Sequence, residues 1–272
     1  MIKIAIHSVP RSGSSWIGQI FNSSPHVNYK FQPLFSYAFK DYLDEYSSKE
    51  KIDEFFEKIA ESDNEFLLQK DKVEKGIYPK FKKAKNYTHI VYKEVRYHHI
   101  LENMLTVNDE IIVVGLVRNP YAVVNSFLKA PREFRKDFGW NPLDEWQYAN
   151  KKNLGRKEEF YGYEKWKEVF FLFRRLKRKY PKRFYLLFYK NLLNNTVLEI
   201  ESLFKFCKIE MTEQTYEFIN KSRMLTQADA YSVYKRKNND DNWKRELHSE
   251  IIKKITSDLK KIGLYEYIKE NL

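Results

Sequence analysis

The run Ile111-Ile112-Val113-Val114-Gly115-Leu116-Val117 constrains this chain more than any other stretch. It has no polar side chain and is mostly β-branched, yet it falls far short of the ~20 apolar residues that cross a bilayer. A strand apolar on both faces belongs in the middle of a parallel sheet covered by helices on both sides. Parallel neighbours need crossover connections, so such a strand demands helices elsewhere in the chain. The sequence supplies them. Ile2 to His7, His89 to Val95 and Phe184 to Tyr189 read as three more strands. Helical spacing starts at Ser14, with Trp16, Ile17, Ile20 and Phe21 on one face, and stops at Asn22 to Pro25. Further helical patterns cover Pro120 to Leu128, Gly162 to Lys179, Thr196 to Cys207, Thr212 to Lys221 and Glu246 to Lys261. The expected fold class is α/β, a P-loop-like parallel sheet flanked by helices, in one domain spanning 1–272. Residues 35–88 are polar and Lys-rich and are expected to form a helical cap beside the site. Residues 222–245 are polar without periodicity and are expected to form a lid loop.

Charge and cysteine content narrow the partners. Lys and Arg number 49 against 37 Asp and Glu, a formal net charge of +12. That balance favours anions such as nucleotides, acidic glycans or anionic lipid. Zinc-finger spacing and interleaved Arg and aromatic residues are both missing, so no nucleic-acid partner is expected. Cys207 is the one cysteine, which rules out an internal disulfide and a thiolate zinc site. Met1 leads straight into a strand without a signal-peptide pattern, and no transmembrane segment is evident, so the expectation is a cytoplasmic protein.

Two strand-end turns carry the chemistry. After Ile2 to His7 the chain reads Pro10-Arg11-Ser12-Gly13-Ser14-Ser15-Trp16. A turn from a strand into a helix aims free N–H groups and the helix dipole at one spot, which suits an anion. Gly13 permits close approach, the hydroxyls of Ser12, Ser14 and Ser15 add donors, and Arg11 adds a planar cation. Trp16 is placed either to stack on a base or to fill the core. A Walker loop would follow its last Gly with Lys and Ser or Thr, the hydroxyl holding Mg²⁺. Here the cation precedes the glycine. The strand Ile111 to Val117 likewise ends in Arg118 where a metal-holding Asp would stand. Both departures point to a phosphate site that works without metal. Arg118 starts the second turn, Pro120 suits the first turn of the next helix, and Ser126 lies two turns into it.

Together these segments resemble the sulfotransferases that use 3′-phosphoadenosine 5′-phosphosulfate (PAPS). In that family a Pro-Lys/Arg-Ser-Gly-Ser/Thr-Ser/Thr-Trp-like loop binds the 5′-phosphosulfate, and a strand-end Arg with a Ser eight residues on binds the 3′-phosphate. Phe188-Tyr189-Lys190-Asn191-Leu192 resembles the segment whose Tyr lies near adenine. Tyr234-Lys235-Arg236-Lys237-Asn238 with Trp243-Lys244 resembles the segment that closes over the 3′-phosphate. The resemblance runs from residue 4 to about 265 and is closest to bacterial and carbohydrate members. It implies donor contacts from Arg11, Ser12, Gly13, Ser14, Ser15, Trp16, Arg118, Ser126, Tyr189, Tyr234, Arg236 and Lys237, with PAPS as donor substrate and no metal.

The base is less plain. Resembling carbohydrate enzymes carry Glu-Pro after the first helix, where this chain has Gln32-Pro33, and an amide takes no proton at neutral pH. Other members place a His two residues after a Lys; here Lys93 matches and Val95 occupies the His position. The remaining candidates, in order, are His98, Glu94 and His99, with Lys93 as a cation for the sulfuryl oxygens. Gln32 is expected to orient the acceptor. Phe134, Trp140, Trp146, Tyr161 and Trp166 are candidates for lining an acceptor groove, as sugars stack on aromatic faces. The acceptor expected from the resemblance is a hydroxyl on a glycan or glycolipid. The alternatives are a nucleotide- or polyanion-binding protein of the same fold without activity, and an ATP-dependent kinase.

Overall fold

A computed structural model of the chain describes all residues except 228, 230 and 235–238. Five parallel strands form one sheet: β1 (Ile2–His7), β2 (Val27–Phe31), β3 (His89–Glu94), β4 (Ile111–Val117) and β5 (Phe184–Phe188), in the order β2-β3-β1-β4-β5. β1 is central, with Ile6 paired to Lys93 of β3 on one side and to Val114 of β4 on the other.

Period-two alternation divides two cores. Ile4, Ile6, Val91, Ile112, Val114 and Leu116 face α1 (Ser14–Ser23) through Ile17, Ile20 and Phe21. Ala5, Ile90, Tyr92, Ile111 and Val113 face the opposite layer. There, α2 (Lys49–Glu61) begins at the Ser48 cap and buries Ile52, Phe55, Phe56 and Ile59, one face at helical spacing. Phe55 and Phe56 pack 5.6 and 5.5 Å from the Tyr92 ring. Part of the 35–88 stretch is thus a wall of the main core, while its later residues Phe66, Lys72 and Tyr78 border the cavity described below.

β2 went unread in the sequence because Asn28 and Lys30 break its apolar pattern. Their partners are tertiary: Asn28 Nδ2 donates to Ala60 O at 2.8 Å and Lys30 Nζ to Ser62 O at 2.5 Å, at the end of α2. These side chains satisfy carbonyls that the helix end leaves open. Other differences concern boundaries. β3 ends at Glu94, and Tyr189 opens a helix, Tyr189–Asn194, rather than closing β5. The Glu246 to Lys261 pattern divides into Trp243–Glu246 and Ser249–Lys261, where His248 Nδ1 accepts from Glu250 N at 3.2 Å and caps the second helix. Among the described residues no helix is long and apolar enough to cross a membrane.

Gly115 sits mid-strand because the opposite layer leaves it no room. A Cβ there would lie 2.6 Å from Phe184 Cζ and 2.8 Å from Phe173 Cδ2. Gly115→Val is expected to overpack the core and cost roughly 1–3 kcal/mol, lowering Tm by roughly 2–10 °C in calorimetry.

Candidate active site

Past His7 the backbone N–H of Ser8 still bonds Glu94 O, at 3.3 Å, and the chain then leaves the sheet. Arg11 (φ 69°) and Gly13 (φ 91°) both take left-handed conformations to swing it into α1. At Gly13 no other residue fits, since a Cβ would lie 2.5 Å from the Tyr189 ring. α1 has no side-chain cap, and Ser14 and Ser15 of its first turn border an open cavity of about 840 Å³. Uncapped N–H groups at a helix start are anion donors. The volume suits a nucleotide-sized ligand with a second small molecule.

The second turn lies against the first. Arg11 Nε donates to Ser126 Oγ at 3.2 Å, and Arg118 Nη1 donates to the Arg11 carbonyl at 2.5 Å. Asn119 caps the helix Pro120–Leu128 by accepting from the N–H groups of Tyr121 and Ala122. Arg118 forms a two-pronged pair with Asp240, Nε to Oδ2 at 2.7 Å and Nη2 to Oδ1 at 2.6 Å. Its guanidinium also lies 5.0 Å from the centre of the Tyr189 ring. This is the fork geometry with which Arg grips carboxylates and phosphates alike. Trp16 Nε1 donates to Ser222 Oγ at 2.9 Å, tying α1 to the helix Glu213–Met224, and its ring meets Tyr189 edge-on.

From β3, parity decides which side chains reach the cavity. Lys93 points to the α1 side, with Nζ 4.3 Å from the Phe31 ring centre, and lines the cavity. Glu94 points to the other side and is fully buried near the His7 layer. Burial pushes the Lys93 ammonium down and the Glu94 carboxyl up, so each is driven toward its neutral form. Gln32, also left-handed (φ 43°), accepts from Arg96 Nη1 at 3.1 Å; Arg96 Nε donates to Glu159 at 3.0 Å.

Of the residues expected from the sequence, Arg11, Gly13, Ser14, Ser15, Trp16, Gln32, Lys93, Arg118, Ser126, Tyr161 and Tyr189 border this one cavity. Ser12 does not border it and is fully buried, its hydroxyl without a partner among the described residues. His98 is buried under the sheet, Nδ1 to Nδ1 with His7 at 3.0 Å and 4.4 Å from the Phe160 ring. His99 lies 3.8 Å from Glu45, and neither His lines the cavity. Trp146 stacks on Tyr163, Trp140 packs edge-on against Phe134, and Trp166 is core with its Nε1 on the Arg118 carbonyl. Tyr234 packs against Phe218 in the α1-side core. Arg236 and Lys237 lie outside the described residues.

Sequence reading missed Arg223, Glu133 and Lys152, which all line the cavity. Arg223 Nη1 is buried with no partner among the described residues, at the Tyr189 end. Glu133 accepts from Tyr231 Oη at 2.8 Å and stands 3.7 Å from Arg11. Each sits in an otherwise ordinary polar stretch, so only the strand-end turns signalled a site.

Fold and cavity together define an α/β protein with a cavity lined by arginines and a helix start at the carboxyl edge of its sheet. The sequence profile described as the sulfotransferase family matches residues 3–213, and the chain belongs to that family. Similar folds include mouse sulfotransferase SULT7A1 complexed with PAP, the desulfonated nucleotide (12% identity, TM-score 0.55, 98% of this chain and 87% of that one). They also include the sulfotransferase domain of the Synechococcus PCC 7002 olefin synthase (15%, 0.55, 99% and 94%). A third is retinol dehydratase in a complex with retinol and PAP (15%, 0.55, 96% and 80%). A comparison with curated protein sequences returned no match.

The His7–His98 pair gives the fold an acid sensitivity. Burial holds His7 down to about 3 and His98 well below its ordinary 6.5, so both stay neutral in the folded chain. The unfolded chain takes up these protons as pH drops below 6.5, so stability present above that value is lost on acidification, by up to about 1.4 kcal/mol per pH unit for each imidazole. Unfolding midpoints should fall over this range, and less steeply for His98→Asn.

Proposed function

We propose that the chain transfers the sulfuryl group of PAPS to an acceptor hydroxyl, on a carbohydrate, by in-line displacement without metal, in the cytoplasm. The observation that carries this reading is the direct contact between the two arginine turns. Arg118 bonds the Arg11 carbonyl while Arg11 bonds Ser126, so two anion sites share one cavity wall. PAPS carries two such anionic ends. The residues present suit it: uncapped N–H groups of α1, the Arg118 fork, and a buried Arg223 nitrogen lacking a partner among the described residues. Relatives of the same fold are complexed with PAP.

When bound, the donor supplies the sulfuryl group and a phosphate leaving group. Arg11 and the first turn of α1 hold fixed positive charge at the leaving oxygen, and Lys93 does so for the sulfuryl oxygens. Donor anions beside Lys93 favour its charged form, opposing the effect of burial. A new bond joins the acceptor oxygen to sulfur as the bond from sulfur to phosphate breaks. The acceptor proton goes to one of the two carboxylates that border the cavity among the described residues, Glu133 or Asp229, because His98, His99 and Glu94 do not border it. Tyr189 and Trp16 form an aromatic corner suited to adenine.

Arg118→Ala is expected to weaken PAP binding about 10- to 100-fold, as loss of a charge-assisted pair does. Adenosine 5′-phosphate, which lacks the 3′-phosphate, should lose far less by calorimetry, and equal losses would remove the 3′-phosphate assignment. Asp240 holds the Arg118 fork, so Asp240→Asn should tighten PAP binding by removing a competing anion. Transfer of labelled sulfate from PAPS should persist in a chelator; loss restored by Mg²⁺ would favour the kinase reading.

A further inference from the structure

The cavity holds more positive charge than its donor end accounts for. Arg118 and Arg223 lie toward Tyr189, Arg11 stands by Glu133 and Tyr231, and Lys93 interacts with Arg11, Lys72 and Arg96. On one wall Lys72 and Arg132 face the carboxylates of Glu133 and Asp229. The remaining wall carries Arg96 and Lys152, where the buried Glu159 pairs with Arg96 and Glu133 acts on Lys152 from farther off. Glu159 spends one oxygen on Arg96 Nε, and Lys152 has no carboxylate within 4.0 Å among the described residues.

Both cations are held in place. Arg96 lies 3.9 Å over the Phe35 ring and Lys152 5.0 Å over the Tyr161 ring, and both border the cavity. Burial pushes the Lys152 ammonium down, so keeping it charged with no carboxylate within 4.0 Å among the described residues costs stability. An incoming anion recovers that cost as charge-assisted hydrogen bonds. Gln32 fits the same pattern. Its Oε1 is taken by Arg96 Nη1, which leaves the amide hydrogens as donors at the cavity. A Glu at this position would pair with Arg96 and repel an anion.

We propose that the acceptor is itself an anion, with a carboxylate, phosphate or sulfate group seated between Arg96 and Lys152 beside the Gln32 amide. This rests on the sulfuryl-transfer reading of the same cavity and names the class of acceptor. Arg96 and Lys152 act as specificity residues: they place the acid group so that a hydroxyl elsewhere on the acceptor faces Lys93.

The test uses the whole chain saturated with PAP, whose own titration is run first; failure of PAP to bind strikes the donor reading alone. Glucose, glucuronic acid, glucose 6-phosphate and glucose 6-sulfate are then titrated as matched neutral and acidic probes. Acidic members should bind about tenfold tighter or more, as expected for a charge-assisted contact, and the gap should shrink with added salt. The strongest of the three distinguishes carboxylate from phosphate or sulfate. Lys152→Met and, separately, Gln32→Glu should each abolish the preference while PAP affinity stays within about twofold. Equal or undetectable binding of all four probes, or a preference that both variants leave intact, overturns the proposal.

Discussion

Strand β1 is hydrogen-bonded on both sides, and the site depends on that double pairing. Parallel alignment brings the carboxyl ends of β1, β3 and β4 to one edge of the sheet. Arg11 and Arg118 follow the ends of β1 and β4 and Lys93 is the second-last residue of β3, so three cations distant in sequence arrive at one cavity. An antiparallel neighbour would send its turn to the other edge. The apolar character of β4, which forces a parallel and doubly covered sheet, is therefore also what assembles the site.

Like charges brought together in this way repel, and the fold manages them locally. Asp240 closes on Arg118, Glu159 on Arg96, and Glu133 stands near Arg11. Aromatic faces carry much of the rest, with Phe31 under Lys72 and Lys93, Phe35 under Arg96 and Tyr161 under Lys152. Such faces stabilise cations without neutralising them. The cavity thereby keeps a positive field for ligands that bring their own negative charge. The same economy explains Lys93 and Glu94, adjacent in sequence but on opposite faces of β3 and each driven by burial toward neutrality.

Most of the fold was legible because its signals are local. Four of five strands show as apolar runs, and α1 and the helix Pro120–Leu128 show as strand-end turns followed by helical spacing. β2 was not legible, since Asn28 and Lys30 look like surface residues until the end of α2 is in place to receive them. The two arginine turns were legible for a related reason: Gly13 and Arg11, and Arg118 at a strand end, stand in short consecutive stretches. The rest of the cavity lining was not. Glu133, Lys152 and Arg223 come from separate segments with no shared motif, and His98, near Lys93 in sequence, lies on the opposite side of the sheet.

By itself the sequence determined the parallel α/β architecture and the two arginine turns. Period-two and helical spacing, Gly13 and the strand-end cations are properties of neighbouring residues. Only the tertiary structure decided which charges meet. It set Asp240 in the Arg118 fork, turned Glu94 away from the cavity, and left Lys152 there with no carboxylate within 4.0 Å among the described residues. Those outcomes follow from strand register and from packing between segments far apart in the chain, where spacing along the chain carries no information.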